Sequence, residues 1–219
     1  MILEWWDGFR PYLGGFVSAS WIVLLLSFCA ILASWICGLA VALANRSSVP
    51  LVRYVSAFYV WFIRGTPALV QIFIIYFGLP QIGLRMSPFA AGVVALGLNG
   101  GAYMAEIIRA GLTAIPKGQT ESAQALGMNR ILMMRRIILP QVFRIVLPPV
   151  TNEAITMVKN TSLLSTITVV ELTLYSQTII STTFRPFEFY IATALIYLLM
   201  TTVISQGALV LERHYARSQ

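Results

Sequence analysis

The chain has 219 residues, of which 58% are hydrophobic and only 11% charged, with a formal net charge of +7 and a mean hydropathy of +0.80. Soluble domains average about 45–50% apolar and about 25% charged residues, so a soluble catalytic domain, a disordered chain and a disulfide scaffold are all excluded. At about 20 residues per membrane-crossing helix, the length allows roughly five or six crossings and no large domain outside the bilayer.

Phe16 to Ala44 is uncharged and long enough to span with tilt. Ala42-Leu43-Ala44 imitates a leader cleavage site, but the apolar run is too long and the start carries Glu4 and Asp7, so this run reads as a retained first span. Cys29 and Cys37 within it read as small packed residues. Tyr54 to Leu84 is the second span, broken at Arg64-Gly65-Thr66-Pro67 into one kinked helix or a short helix plus a crossing. Residues 88–112 form the third, with Gly97, Asn99, Gly100 and Gly101 at its centre, small residues that allow close helix approach.

Pro116 to Arg136 is too polar to span and too patterned for disorder; it reads as an amphipathic helical pair broken at Gly127. Gln141 to Leu164 is the most polar span, carrying Arg144, Pro148, Pro149, Glu153, Lys159 and Asn160, and its polar side must face protein or water. The helix that holds Glu153 is expected to begin or kink at Pro148-Pro149. Thr166 to Phe184 reads as an external loop with a short helix, and residues 189–211 as the last crossing. His214 lies in a solvated tail beside Glu212, Arg213 and Arg217. The expected fold is therefore an all-α integral membrane domain over residues 1–219, with five spans and a cytoplasmic loop between the third and fourth.

Charge gives the orientation. With the N-terminus outside, the cytoplasmic segments hold Arg46, Arg53, Arg109, Lys117, Arg130, Arg135, Arg136, Arg144, Arg213 and Arg217, and the external ones only Arg10, Arg85 and Arg185. That asymmetry predicts N-out, C-in. It also accounts for the net charge without a nucleic-acid partner.

The chain has no zinc-binding His-Glu-x-x-His, no Cys pair at metal spacing, no Gly-x-Ser-x-Gly and no phosphate-binding Gly-rich loop. Intramembrane polar residues are what remain. Arg64 and Glu153 are costly in lipid, which points to function or to mutual neutralisation. Asn99 fits either a helix–helix hydrogen bond or a substrate contact. Glu106 and Arg109 read as a supporting i,i+3 pair. Lys159, Asn160 and Thr161 fit a gate, a site or a snorkelling edge.

The loop reads Glu121-Ser122-Ala123, three residues, Gly127, nine residues, Ile137, one residue, Leu139-Pro140. This spacing resembles the EAA motif of the permease subunits of binding-protein-dependent ABC importers, with Ser122 where the family commonly has Ala. Tyr59 to Pro67, Tyr103 to Gly111 and Lys159 to Leu163 are similar to the polar amino acid permease branch, and the likeness covers roughly residues 16–211. The resemblance implies an inner-membrane permease subunit of an ATP-driven importer, without catalysis or a cofactor in this chain. ATP and magnesium would belong to two cytoplasmic ATP-binding subunits docked on Glu121, Ser122, Ala123, Gly127 and Arg130. A second permease subunit, identical or homologous, and an external binding protein would complete the assembly in membrane lipid. Substrate contact is expected near Glu153, with Arg64, Gly65, Thr66, Asn99, Asn160 and Thr161 as neighbours. A stand-alone secondary transporter is the alternative, which would more often show repeated halves.

Overall fold

The computed structural model describes residues 8–216, with side chains as far as Arg213. The readings at Glu4, Asp7 and Arg217, and that of the His214 side chain, lie outside the described residues. Helix α1 (Leu13–Ala44) follows a short 3-10 turn and is the first apolar run made continuous. It packs closely against α4 (Pro88–Thr113), which Ser87 caps through its hydroxyl and the Ala90 amide. The glycines of α4 let the two backbones approach. A Cβ on Gly97 would lie 2.6 Å from Ala33 Cβ, and one on Gly101 would lie 2.8 Å from Cys37 Cβ. With a lipid exterior as apolar as any side chain, such close packing rather than hydrophobic burial holds helices together. The two cysteines are half-buried and free; Cys37 Sγ lies 3.2 Å from the Tyr59 hydroxyl.

Between α1 and α4 the chain makes a sharp bend. Helix α2 (Pro50–Gly65) ends where Thr66 and Pro67 become extended, and α3 (Ala68–Phe73) restarts and runs through a π turn to Ile82. The two arms meet at 112°. The break is thus far larger than a kink, because Pro67 cannot supply an amide to the preceding turn and Thr66 leaves helical space.

After α4 come α5 (Lys117–Ala125), α6 (Arg130–Met133), a π turn over Met134–Ile138, and α7 (Leu139–Asn160). Of the two sequence expectations, a start or a kink at Pro148-Pro149, the start is corrected: α7 is helical from Leu139 onward with both prolines inside it. Those prolines supply no amides to the preceding turn of the helix. A 3-10 stretch (Thr161–Ile167) leads to α8 (Leu172–Thr183), which is bent by 48° from the preceding run, and then to α9 (Pro186–Ala216). The segment read as an external loop is therefore mostly helical.

Among the described residues, three helices are long and apolar enough to cross a membrane, Arg10–Ala44, Pro88–Thr113 and Pro186–Arg213, and the two bent pairs raise the count to as many as five. One buried cluster joins α1, α3, α4, α7 and the 3-10 stretch after it through Leu26, Ala30, Ile72, Leu96, Met157 and Leu164. Another sits under the polar loop, where Ala123, Met133, Ile138, Val142 and Val146 pack together.

Candidate functional site

Arg64 is carried to the last turn of α2 by the bend, and there it meets α4. Its Nη1 lies 3.2 Å from Glu106 Oε2, and its guanidinium carbon sits 5.6 Å from the centre of the Tyr103 ring. Glu106 also takes Arg109 across both oxygens, at 2.9 and 3.0 Å. The i,i+3 pair read from the sequence is present, with a third member added. Neutralisation of Arg64 by Glu153 is corrected: the nearer carboxylate is Glu106, one turn along α4 from Tyr103.

Glu153 is half-buried on α7 and makes no ion pair or hydrogen bond among the described residues. Its carboxylate faces Gly100 of α4. A Cβ on Gly100 would meet Met157 Cε at 2.5 Å, Ser34 Cβ at 3.0 Å and Glu153 Oε1 at 3.5 Å. A glycine here makes the notch in which that carboxylate stands. Toward the start of α7, Arg64, Tyr103, Glu106, Ile145, Val146 and Pro149 line a cleft of about 430 Å³ between α4 and α7. Pro149 lies one turn of α7 from Glu153, so the notch and the cleft are neighbours along one helix face.

The other candidates divide by what they already bind. Gln71, absent from the sequence reading, is buried and donates to the carbonyls of Ile63 and Thr66 and to Thr66 Oγ1, at 2.8, 3.1 and 2.8 Å. Asn99 donates to Gln71 Oε1 at 3.0 Å. Gln71 thus holds the α2–α3 bend by donating to carbonyls that the break leaves open, Asn99 anchors Gln71, and the Thr66 hydroxyl donates to the Phe62 carbonyl at 2.9 Å. Gly65 is exposed at that bend. Thr161 is fully buried, donates to the Val158 carbonyl, and touches the Tyr197 hydroxyl at 3.5 Å. Asn160 remains half-buried, two turns from Glu153 on α7.

Glu171 is the other residue the sequence reading missed. It is fully buried and caps α8: its oxygens accept from the Thr173 and Leu174 amides at 2.9 and 3.0 Å and from the Tyr197 hydroxyl at 2.7 Å. The available signal was an acidic residue directly before an apolar helical stretch, a capping pattern. For Gln71 it was a lone amide in the apolar run after the Pro67 break.

In the loop, α5 ends in a Schellman motif: Gly127 N donates to Gln124 O at 2.9 Å and Met128 N to Ala123 O at 3.1 Å, with Gly127 at φ +73°. Glu121, Ser122, Gly127 and Arg130 are exposed. Ala123 is not. At 3% exposure it is buried in the cluster that includes Met133 and Val142, where its small size serves packing within this chain.

Residues 30–217 match the family described as "Binding-protein-dependent transport system inner membrane component". The chain belongs to that family. It is 42% identical over 210 residues to the octopine transport system permease protein OccM of Rhizobium meliloti, covering 92% of this chain and 84% of that one. It is 39% identical over 217 residues to the L-cystine transport system permease protein TcyB of Bacillus subtilis (strain 168), covering 97% and 92%. A crystal structure of an amino acid ABC transporter with histidines superposes with a TM-score of 0.91 at 41% identity, over 95% of this chain and 98% of that one. The permease is thus a membrane transport subunit and not an enzyme, the ATPase being a separate subunit, and the stand-alone transporter reading is set aside.

Proposed function

We propose that this permease forms half of the pathway of an ATP-driven polar amino acid importer, and that the amino acid meets it at Glu153. The similar permeases named for octopine and L-cystine transport support an amino acid or a derivative as cargo. The observation that carries the site is a carboxylate without a protein partner, standing in a glycine notch between two packed helices. Such a group at membrane depth carries a penalty of about 2.5–3.5 kcal/mol on insertion scales, which a cationic ligand offsets. Glu153 takes the ammonium or a basic side chain, which favours basic amino acids; Asn160 lies on the same face. Gly65, Thr66, Asn99 and Thr161 shape the frame around it.

In this reading the chain makes five crossings, N-out and C-in, each bent pair counting as one. The first, second and third spans are α1, α2–α3 and α4. Two ATP-binding subunits dock under α5, on Glu121, Ser122, Gly127 and Arg130, and their closure and reopening drive alternating access. A second permease completes the pathway and an external binding protein delivers the cargo. ATP and magnesium stay on the ATPase.

The test is uptake into proteoliposomes holding the complete importer, across a panel of amino acids. Glu153→Gln should change affinity or selectivity while assembly survives. An unchanged uptake profile would exclude Glu153 from the site.

A further inference from the structure

Arg64, Tyr103 and Glu106 have chemistry that the Glu153 site does not use. We propose that they form a second station for the amino acid, at the coupling-loop end of the α4–α7 cleft, and that this station takes the α-carboxylate. The proposal rests on the reading of the chain as an amino acid permease.

Charge comes first. Two guanidinium groups, of Arg64 and Arg109, share the single carboxylate of Glu106, so the cluster is one positive charge in excess. The sharing is unequal. Arg109 holds both oxygens of Glu106 through Nε and Nη2, whereas Arg64 reaches only one of them, through Nη1. Arg64 has five N–H donors in a planar fork, and no other polar partner for it is present among the described residues. That fork suits a carboxylate taken by two parallel bonds.

Position comes second. Glu106 lies seven residues before the end of α4 at Thr113, about 10 Å along the helix, so Arg64 meets it about two turns in from the helix end while Arg109 lies nearer that end. Excess positive charge at that depth favours an anion or water. The cleft that opens on it is about 430 Å³, within the range of small-molecule sites. Its remaining wall is apolar, made by Ile145, Val146 and Pro149, which strengthens an ion pair formed against it. The Tyr103 ring lies against the Arg64 guanidinium carbon and supports the cation without consuming a donor.

The two stations are also complementary. Glu153 offers a negative group one turn of α7 beyond Pro149, and the Arg64 cluster a positive one on the near side. A zwitterion leaving the Glu153 notch toward the coupling loop would do so carboxylate first.

Glu106 provides the decisive comparison. If Arg64 is only a strut between α2 and α4, Arg64→Gln and Glu106→Gln break the same contact and have the same effect. If Arg64 is a carboxylate station, Glu106 is its intramolecular competitor, and the two variants act in opposite directions. The experiment uses the ATPase-bound permease in nanodiscs, with the binding protein omitted, and a radiolabelled mixture of the protein amino acids, L-cystine and octopine. Arg64→Gln should weaken binding of the captured amino acid about 10- to 100-fold, as for loss of a charge-assisted hydrogen-bond pair. Arg64→Lys should weaken it less, and Glu106→Gln should strengthen it. The decarboxylated amine of the same amino acid should bind wild type and Arg64→Gln alike. Assembly is followed by co-elution with the ATPase, and if Arg64→Gln does not assemble, Arg64→Lys and Glu106→Gln carry the comparison. Equal losses in the Arg64 and Glu106 variants, or no change in either, overturn the station while leaving Glu153 standing. No binding by wild type overturns the amino acid reading together with it.

Discussion

Replacing Glu171 by Ala tests whether the packing of α8 against α9 is held by one buried carboxylate. Glu171 has no exposed surface and supplies three acceptor contacts: two to the first amides of α8 and one to the Tyr197 hydroxyl of α9. The alanine variant loses the helix cap, which costs about 0.5–2 kcal/mol. It also leaves the Tyr197 hydroxyl with only the 3.5 Å contact to Thr161, a desolvated donor worth about 1–3 kcal/mol when unpaired. The expected destabilisation is therefore about 2–5 kcal/mol. Tyr197→Phe removes the donor while leaving both amide bonds to Glu171, and should cost about 1 kcal/mol. Because the two side chains share a bond, the double variant should be less destabilised than the sum of the singles by about 1–2 kcal/mol. Equilibrium unfolding in mixed micelles measures all four corners of the cycle. A Glu171→Ala variant within about 0.5 kcal/mol of wild type, or strict additivity with Tyr197→Phe, would refute the argument.

Gly127→Val should insert and fold but lose stimulation of the ATPase. A Cβ there meets nothing within 4 Å, yet a φ of +73° strains a β-branched residue by about 1–3 kcal/mol, and full ATP-driven uptake by the variant would exclude the coupling role. A cytoplasm-only reporter fused at Gln219 should be active and one at Gly83 silent; the reverse pattern would sink the N-out, C-in orientation.

The spans that could be read directly are those whose environment is uniform. The uncharged runs of α1, α4 and α9 announce themselves because a lipid-facing helix has no alternative way to satisfy its backbone. Gly127 was legible for a different reason, since a glycine between two amphipathic stretches is the residue a left-handed helix end requires. The break at Gly65-Thr66-Pro67 was legible as a break, but its 112° angle was not, because the angle depends on Gln71 bridging the open carbonyls from beyond it. The burial of Ala123 in the Met133–Val142 cluster was not legible either, because it depends on how the helix folds back on the start of α7.

Pairing of charges was the part that sequence reasoning could not decide, and the reason is geometric. The sequence reading set Arg64 against Glu153 and gave Glu106 to Arg109, and nothing in the spacing ranks Glu106, Glu153 and the overlooked Glu171 as partners of Arg64. Helix packing ranks them, because α2 reaches α4 at the Tyr103–Glu106 turn while Glu171 is enclosed by α8 and α9. The consequence bears directly on function. Once Glu106 is taken by arginines and Glu171 by amides and a phenol, Glu153 is left as the intramembrane carboxylate with no internal partner. In the proposed reading, a carboxylate left open in a glycine notch has the most to gain from a cationic group of the cargo, whereas Glu106 and Glu171 already hold cations or donors of this chain.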